Sequence, residues 1–267
     1  MLKIRENLRI AIKASMLGGK AIMEVYETDF TVETKDDKSP LTEADQRANS
    51  IINSYLVPTG IPIISEENKQ IDYSVRKNWK ECWIVDPLDG TKEFVKRNGE
   101  FTVNIALVAN GTPILGVIYV PVEKTLYFGD ISLDNSYKVS VENHQEDVES
   151  LIEKAQRLQP KKSTAQNMAV VGSRSHMSEE TEDYIQLLKN KGKNVEIVSK
   201  GSSLKFCLVA EGKADVYPRF APTMEWDTAA GQAICSAVGV NVISNQTNET
   251  LQYNKENLLN PWFLVAK

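Results

Sequence analysis

Two aspartates three residues apart, Asp86 and Asp89, stand just past an apolar run in the stretch Trp83–Phe94, WIVDPLDGTKEF. Cys82-Trp83-Ile84-Val85 reads as a buried strand. Pro87, with no backbone donor and a fixed φ, is expected to end it. Leu88, Asp89, Gly90 and Thr91 then make a tight turn. Such a turn can aim two carboxylates and a backbone carbonyl at one hard cation. A helical turn starting at Gly90 would leave free amides for an anion. A cation and an anion held side by side are what phosphate chemistry requires.

Three more acidic positions fall near element ends: Glu66 in Ser65-Glu66-Glu67, Asp227 in Trp226-Asp227-Thr228-Ala229-Ala230-Gly231, and Asp45. Each has a plainer reading. Asp227 suits a helix N-cap. Asp45 matches the acidic member of a capping box with Thr42. Glu66 and Glu67 fit a solvated loop, and Asp86 and Asp89 favour turns anyway. Taken together the plainer readings weaken, because carboxylates that converge without cations repel one another. Oxygen-only ligation suits magnesium or manganese. Two such ions can clamp the attacking and leaving oxygens of a phosphoryl transfer, and Glu66 and Thr91 are available to orient a water and take its proton.

Composition narrows the alternatives. The chain has 267 residues, enough for one large or two small domains. A net charge of −5 argues against binding a nucleic-acid polymer. Only His144 and His176 are present, so a histidine-rich zinc site is not expected. Cys82, Cys207 and Cys235 are odd in number and apolar in setting, which reads as free buried thiols in a reducing compartment. Lys3, Arg5, Glu6, Arg9 and Lys13 interrupt any signal-peptide core. No run of about 18 apolar residues could span a membrane. A cytoplasmic protein is expected.

These side chains need elements to position them. Residues 4–26 have a helical pattern, with Ile4, Leu8, Ala11, Ile12 and Ser15 on one face and Gly18-Gly19 as a weak point. A polar loop, Thr31–Pro40, precedes a helix starting near Thr42 and ending at Pro58-Thr59-Gly60. Ile61–Ile64 is a short strand running into Glu66. An antiparallel meander follows: Phe101–Val108, an Asn110-Gly111 turn, Pro113–Val120, then Thr125–Phe128. The polar segment Ser140–Gln166, with an amphipathic piece Val148–Leu158, marks the boundary between halves. Beyond it strands (Met168–Val171, Val195–Val198, Ala214–Tyr217, Val240–Ile243, Phe263–Val265) alternate with helices (Glu179–Lys191, Ser202–Glu211, Asp227–Val238). The pattern is α/β layering, with helices on both sheet faces.

WIVDPLDGTKEF resembles the first signature of the inositol monophosphatase superfamily, and WDTAAGQAI at Trp226–Ile234 its second. Ser65–Glu67 and SPLTEAD at Ser39–Asp45 are similar to two further acidic elements, and all four stand in family order. Within the superfamily the Lys92-Glu93-Phe94 ending resembles the bacterial 3′(2′),5′-bisphosphate nucleotidase branch, as do VGSRSH at Val171–His176 and the stretch Gly201–Asp215. The resemblance implies a sugar-phosphatase fold of alternating layers, αβαβα, as one catalytic unit. Residues 1–155 would carry most metal ligands; residues 156–267 would carry the nucleotide contacts and the last ligand. It implies two to three magnesium ions, with manganese as substitute and lithium as inhibitor. Glu66, Asp86 and the Leu88 carbonyl would bind one ion. Asp86, Asp89 and Asp227 would bind a second, with Asp86 bridging, and Glu66 with Asp45 a third. Thr91, with Glu66 or Asp45, would activate the water. Gly90 and Thr91 amides would receive the phosphate, and Ser173, Arg174, Ser202, Lys205 and Arg219 the rest of the nucleotide, arginine suiting bidentate phosphate contact.

The substrate so implied is adenosine 3′,5′-bisphosphate, a by-product of sulfate assimilation, or its sulfated form. The enzyme would be a cytoplasmic monomer or homodimer, free or peripheral to the inner face of the membrane. Two other readings compete: a superfamily phosphatase acting on inositol phosphate or a sugar bisphosphate, and a non-catalytic, cation-dependent nucleotide-binding regulator.

Overall fold

The computed structural model describes residues 5–28, 40–161, 166–172 and 177–267. In chain order the first elements are α1 (Glu6–Tyr26), α2 (Pro40–Leu56), β1 (Ile63–Ser65), α3 (Tyr73–Arg76), β2 (Glu81–Asp89) and α4 (Thr91–Val95). Then come β3 (Thr102–Ala109), β4 (Thr112–Val120), β5 (Thr125–Asp130), β6 (Asn135–Ser140), α5 (Val148–Lys154) and β7 (Gln156–Arg157). The remainder is β8 (Asn167–Gly172), α6 (Glu179–Asn190), β9 (Asn194–Ser199), α7 (Leu204–Ala210), β10 (Val216–Arg219), α8 (Glu225–Ser236), β11 (Asn241–Ser244) and β12 (Phe263–Ala266).

Side chains of a strand alternate between faces, and here the alternation sorts the core into layers. Trp83 and Val85 of β2 face one way, into a cluster with Leu8, Ile12 and Ile22 of α1 and Ala48 and Ile52 of α2. Cys82 and Ile84 face the other way, into a cluster with Phe206 of α7, Ala230 and Ile234 of α8, and Phe263 and Val265 of β12. On the far face of the second sheet Val170 and Val216 meet Ile185 and Leu188 of α6. The order is therefore helix, sheet, helix, sheet, helix, as expected. The first sheet has seven strands in sequential order, β1 to β7; the second runs β11-β12-β10-β8-β9.

Local chemistry explains most boundaries. Asn110 and Gly111 both have positive φ (48° and 78°), the turn that joins two right-twisted strands through two residues. Ser178 caps α6 by accepting the Thr181 amide. α1 runs unbroken through Gly18-Gly19, both buried. α8 lies between the sheets because its inner face is small: a Cβ on Gly116 of β4 would come within 2.4 Å of the Ala230 carbonyl oxygen.

Three expectations are corrected. β2 does not stop at Pro87 but continues to Asp89. Asp86 pairs with Asn104 and Asp89 with Thr102, with a register shift between them, so β2 absorbs Pro87 in a bulge. The helix does not begin at Thr42: α2 already starts at Pro40, which puts Thr42 inside the first turn rather than at its cap; proline is pre-organised for a first helical turn. Ser202 lies before its helix, which begins at Leu204, with a left-handed φ of 52°. The loop 31–39 lies outside the described residues.

Candidate active site

β1 and β2 run parallel, with Ser65 opposite Val85. Parallel strands end on the same side, so Glu66 and Asp86 arrive at one edge, and the Glu66 amide donates to the Val85 carbonyl at 3.2 Å. Asp86 is buried, and its Oδ1 accepts the Leu88 amide at 3.0 Å. Asp227 enters from the second half as the third residue of α8, where its Oδ2 accepts the Met224 amide at 2.8 Å. It thus serves the helix start and the site together. Ligand oxygens of Asp86, Asp89 and Asp227 lie within 4.8 Å of one another. Glu66 sits exposed at the rim, and Asp45 is buried on the second turn of α2.

The electrostatics suit a divalent cation. Burial pushes Asp86 well above the usual carboxylate range, reinforced by the charges of Asp89, Glu66, Asp227 and Asp45. Burial, then Glu67 and Glu66, push Asp45 up to about 8. Burial and Asp89 push Asp227 up to about 7, against the Met224 hydrogen bond and Arg219. Glu66, open to solvent at its tip but partly desolvated on its inner side, is raised by that desolvation and by the charges of Glu67 and Asp89, with Asp86 opposing. An all-oxygen set whose members raise one another is what a hard divalent cation satisfies.

A sign follows for stability. Acids with folded-state pKa above their unfolded value hold extra protons in the folded state, so stability falls as pH rises. For Asp45 and Asp227 the window runs from the ordinary 3.8 to about 7–8. In chelator the melting temperature should fall between pH 5 and 8, and a divalent cation should remove that fall. Thermal melts across pH check this; a metal-free melting temperature that rises over the window would refute it.

Asp89 is held by Ser202, expected from the sequence at the nucleotide, and by Ser203 and Asn104, which sequence reading missed. Its Oδ2 accepts from Ser202 Oγ (2.5 Å), the Ser203 amide (2.7 Å), Ser203 Oγ (2.9 Å) and Asn104 Nδ2 (3.4 Å). Asn104 also donates to Ser203 Oγ at 2.9 Å, and Thr102 to Asn104 Oδ1 at 2.9 Å. The available signal was Asn104 itself, a lone amide in the buried run Thr102–Val108.

The anion side lies next to this cluster. Gly90 starts α4 with φ 95°, and its carbonyl accepts the Phe94 amide at 2.9 Å. Thr91 is exposed as the first residue of α4. A cavity of about 440 Å³ opens beside Asp89, Gly90 and Asp227, with Lys92, Lys205 and Arg219 among its lining. Lys205 donates to the Ser202 carbonyl at 3.0 Å, and burial lowers its pKa. Arg219 Nε is buried with no hydrogen-bond partner among the described residues. A second cavity of about 260 Å³ shares Lys205, Tyr217 and Arg219 with the first and is bordered by Met177 and Phe220. Ser173 and Arg174 lie outside the described residues.

Comparison with known proteins gives concordant results. Residues 3–262 match the model of the inositol monophosphatase family. The 3′(2′),5′-bisphosphate nucleotidase CysQ of Salmonella typhimurium is 46% identical over 253 residues, covering 93% of this chain and 94% of that protein. The crystal structure of CysQ from Bacteroides thetaiotaomicron, 52% identical, superposes with a TM-score of 0.90 and covers 100% of this chain and 98% of its own. An inositol monophosphatase from Zymomonas mobilis, 19% identical, shares the fold at a TM-score of 0.77, covering 100% and 94%.

Proposed function

Because the chain belongs to the inositol monophosphatase family, we propose that it is a metal-dependent 3′(2′),5′-bisphosphate nucleotidase that converts adenosine 3′,5′-bisphosphate to AMP and phosphate. One observation carries the reading: a carboxylate cluster and a cation-lined cavity share a wall at Asp89, and an apolar annex adjoins the far side. A nucleotide with two phosphates needs all three, one for each phosphate and one for the base. Inositol phosphate needs no apolar annex.

Magnesium is the proposed ion, at two to three positions, with manganese as substitute and lithium as inhibitor. Glu66, Asp86 and the Leu88 carbonyl would hold the first ion; Asp86, Asp89 and Asp227 the second; Glu66 and Asp45 a third. The ions supply positive charge at the phosphate oxygens and acidify water. The chain does the rest. Gly90 and Thr91 amides receive the phosphate at the start of α4. Thr91, with Glu66 or Asp45, would orient the attacking water, the carboxylate taking its proton. Lys205 and Arg219 meet the second phosphate, Arg219 with an Nε donor that has no partner among the described residues, and Ser202, Ser173 and Arg174 complete that contact. Met177, Tyr217 and Phe220 take the base. In this proposal the sulfated nucleotide is a further substrate, and sulfate assimilation is the setting of the reaction.

Among the described residues no helix is long and apolar enough to cross a membrane. A cytoplasmic location, as monomer or homodimer, completes the proposal. The test is phosphate release from adenosine 3′,5′-bisphosphate and inositol 1-phosphate, each with magnesium and with magnesium plus lithium. The nucleotide should be hydrolysed at least tenfold faster, roughly the discrimination that one well-filled apolar subsite provides, and lithium should inhibit. Faster release from inositol 1-phosphate would overturn the substrate assignment.

A further inference from the structure

The turn that offers Glu66 is fastened at both ends to the helix that offers Asp45, through side-chain amides with no part in the chemistry above. Ser65-Glu66-Glu67-Asn68 closes as a β-turn, the Asn68 amide donating to the Ser65 carbonyl at 3.2 Å. At one end the buried Ser65 hydroxyl donates to Asn49 Oδ1 at 2.9 Å. At the other, Asn68 Oδ1 accepts from Asn49 Nδ2 at 2.9 Å and from Asn53 Nδ2 at 3.0 Å. Gln70 Nε2 adds a bond to the Ser65 carbonyl at 2.8 Å. Asp45, Asn49 and Asn53 follow one another at four-residue steps on α2, so they line one helix face.

Little else holds the turn. β1 has three residues and lies at the edge of its sheet, paired with β2 alone. Glu66 and Glu67 occupy the middle of the turn, where their charges and that of Asp45 push apart. Among the described residues the backbone ties the turn to β2, through the Glu66 amide and the Val85 carbonyl, but not to α2. Asn49 supplies that tie with both halves of one amide: its oxygen takes the start of the turn and its nitrogen the end. Side chains that orient ligands in this way, without touching the ion, typically change metal affinity or activity 10–100-fold when lost.

We infer that Asn49 is a positioning residue: it sets the separation of Glu66 from Asp45, and thereby the affinity with which those carboxylates take a divalent cation. The inference rests on the metal-dependent site proposed above. The experiment is calorimetric titration of wild type, Asn49→Ala and Asn68→Ala with Mn²⁺, alongside magnesium activation curves. Both variants should bind Mn²⁺ at least about tenfold more weakly. Half-maximal activation should move to higher magnesium by a similar factor, while the KM for adenosine 3′,5′-bisphosphate at saturating magnesium stays unchanged. A residue that merely supported the fold would lower the melting temperature and leave cation affinity alone; that result, with wild type binding Mn²⁺ normally, overturns this inference only. Wild type that takes up no Mn²⁺ overturns the metal-dependent reading as well. Should Asn49→Ala fail to fold, Asn68→Ala, at a half-buried turn position, carries the test.

Discussion

Asp86→Asn should abolish measurable phosphate release and remove more than one bound cation. Asp86 is the most deeply buried acid of the cluster among the described residues, and its pKa is raised by the charges of Asp89, Glu66, Asp227 and Asp45. A single group that feels every neighbour sits at the centre of the set, where a bridging ligand belongs. Loss of several kcal/mol of charge stabilisation corresponds to roughly a 10³–10⁴-fold fall in turnover. Asp227→Asn is the contrast: its carboxylate lies at one side, tied to the start of α8 by Met224, so it should weaken one cation site and spare the other. Mn²⁺ titration of the two variants separates them. If Asp86→Asn loses no more cation than Asp227→Asn, the bridging role is wrong.

Gly90→Val should cut turnover by about 10²-fold or more while Mn²⁺ binding changes much less. At φ 95° a branched side chain is strained, a cost of about 1–3 kcal/mol. A Cβ there would also meet the Glu100 carbonyl oxygen and the Phe101 Cα, each at 3.2 Å, and both are backbone atoms that cannot swing aside. The start of α4 must then move, taking with it the amides that would receive the phosphate. Loss of one such donor elsewhere costs about 10²–10³-fold in turnover. A variant that keeps most of its turnover would show that the Gly90–Thr91 amides do not hold the reacting phosphate.

The carboxylates were legible because each sits in a short local pattern: an apolar strand, then Asp86 and Asp89; a short strand, then Glu66; a small-residue helix after Asp227. Their convergence was expected from their places near element ends and from the order of the motifs, with mutual repulsion pointing to cations between them, and Asp86, Asp89 and Asp227 do converge. The layers were legible too, since Trp83 and Val85 alternate with Cys82 and Ile84. What escaped was non-local. Nothing near Ser203 in the chain announces that its amide and hydroxyl meet Asp89, 114 residues away. Nothing beside Asn49 in the chain marks it, and its meaning depends on Ser65 and Asn68 folding back across it. Pro87 misled because the rule that proline ends a strand holds only where the partner strand keeps strict register.

That bulge decides more than where β2 stops. In an unbroken strand, residues three apart project from opposite faces, so Asp86 and Asp89 would be separated by the thickness of the sheet. Against the two steps from Thr102 to Asn104, β2 takes three from Asp86 to Asp89. The surplus residue changes the parity, and the two carboxylates emerge on the same side. The site is therefore encoded by a count as much as by residue types. Pro87 and Leu88 can vary within sterics, but the surplus residue must stay in a bulge: paired straight through, three regular steps would send Asp89 to the face opposite Asp86.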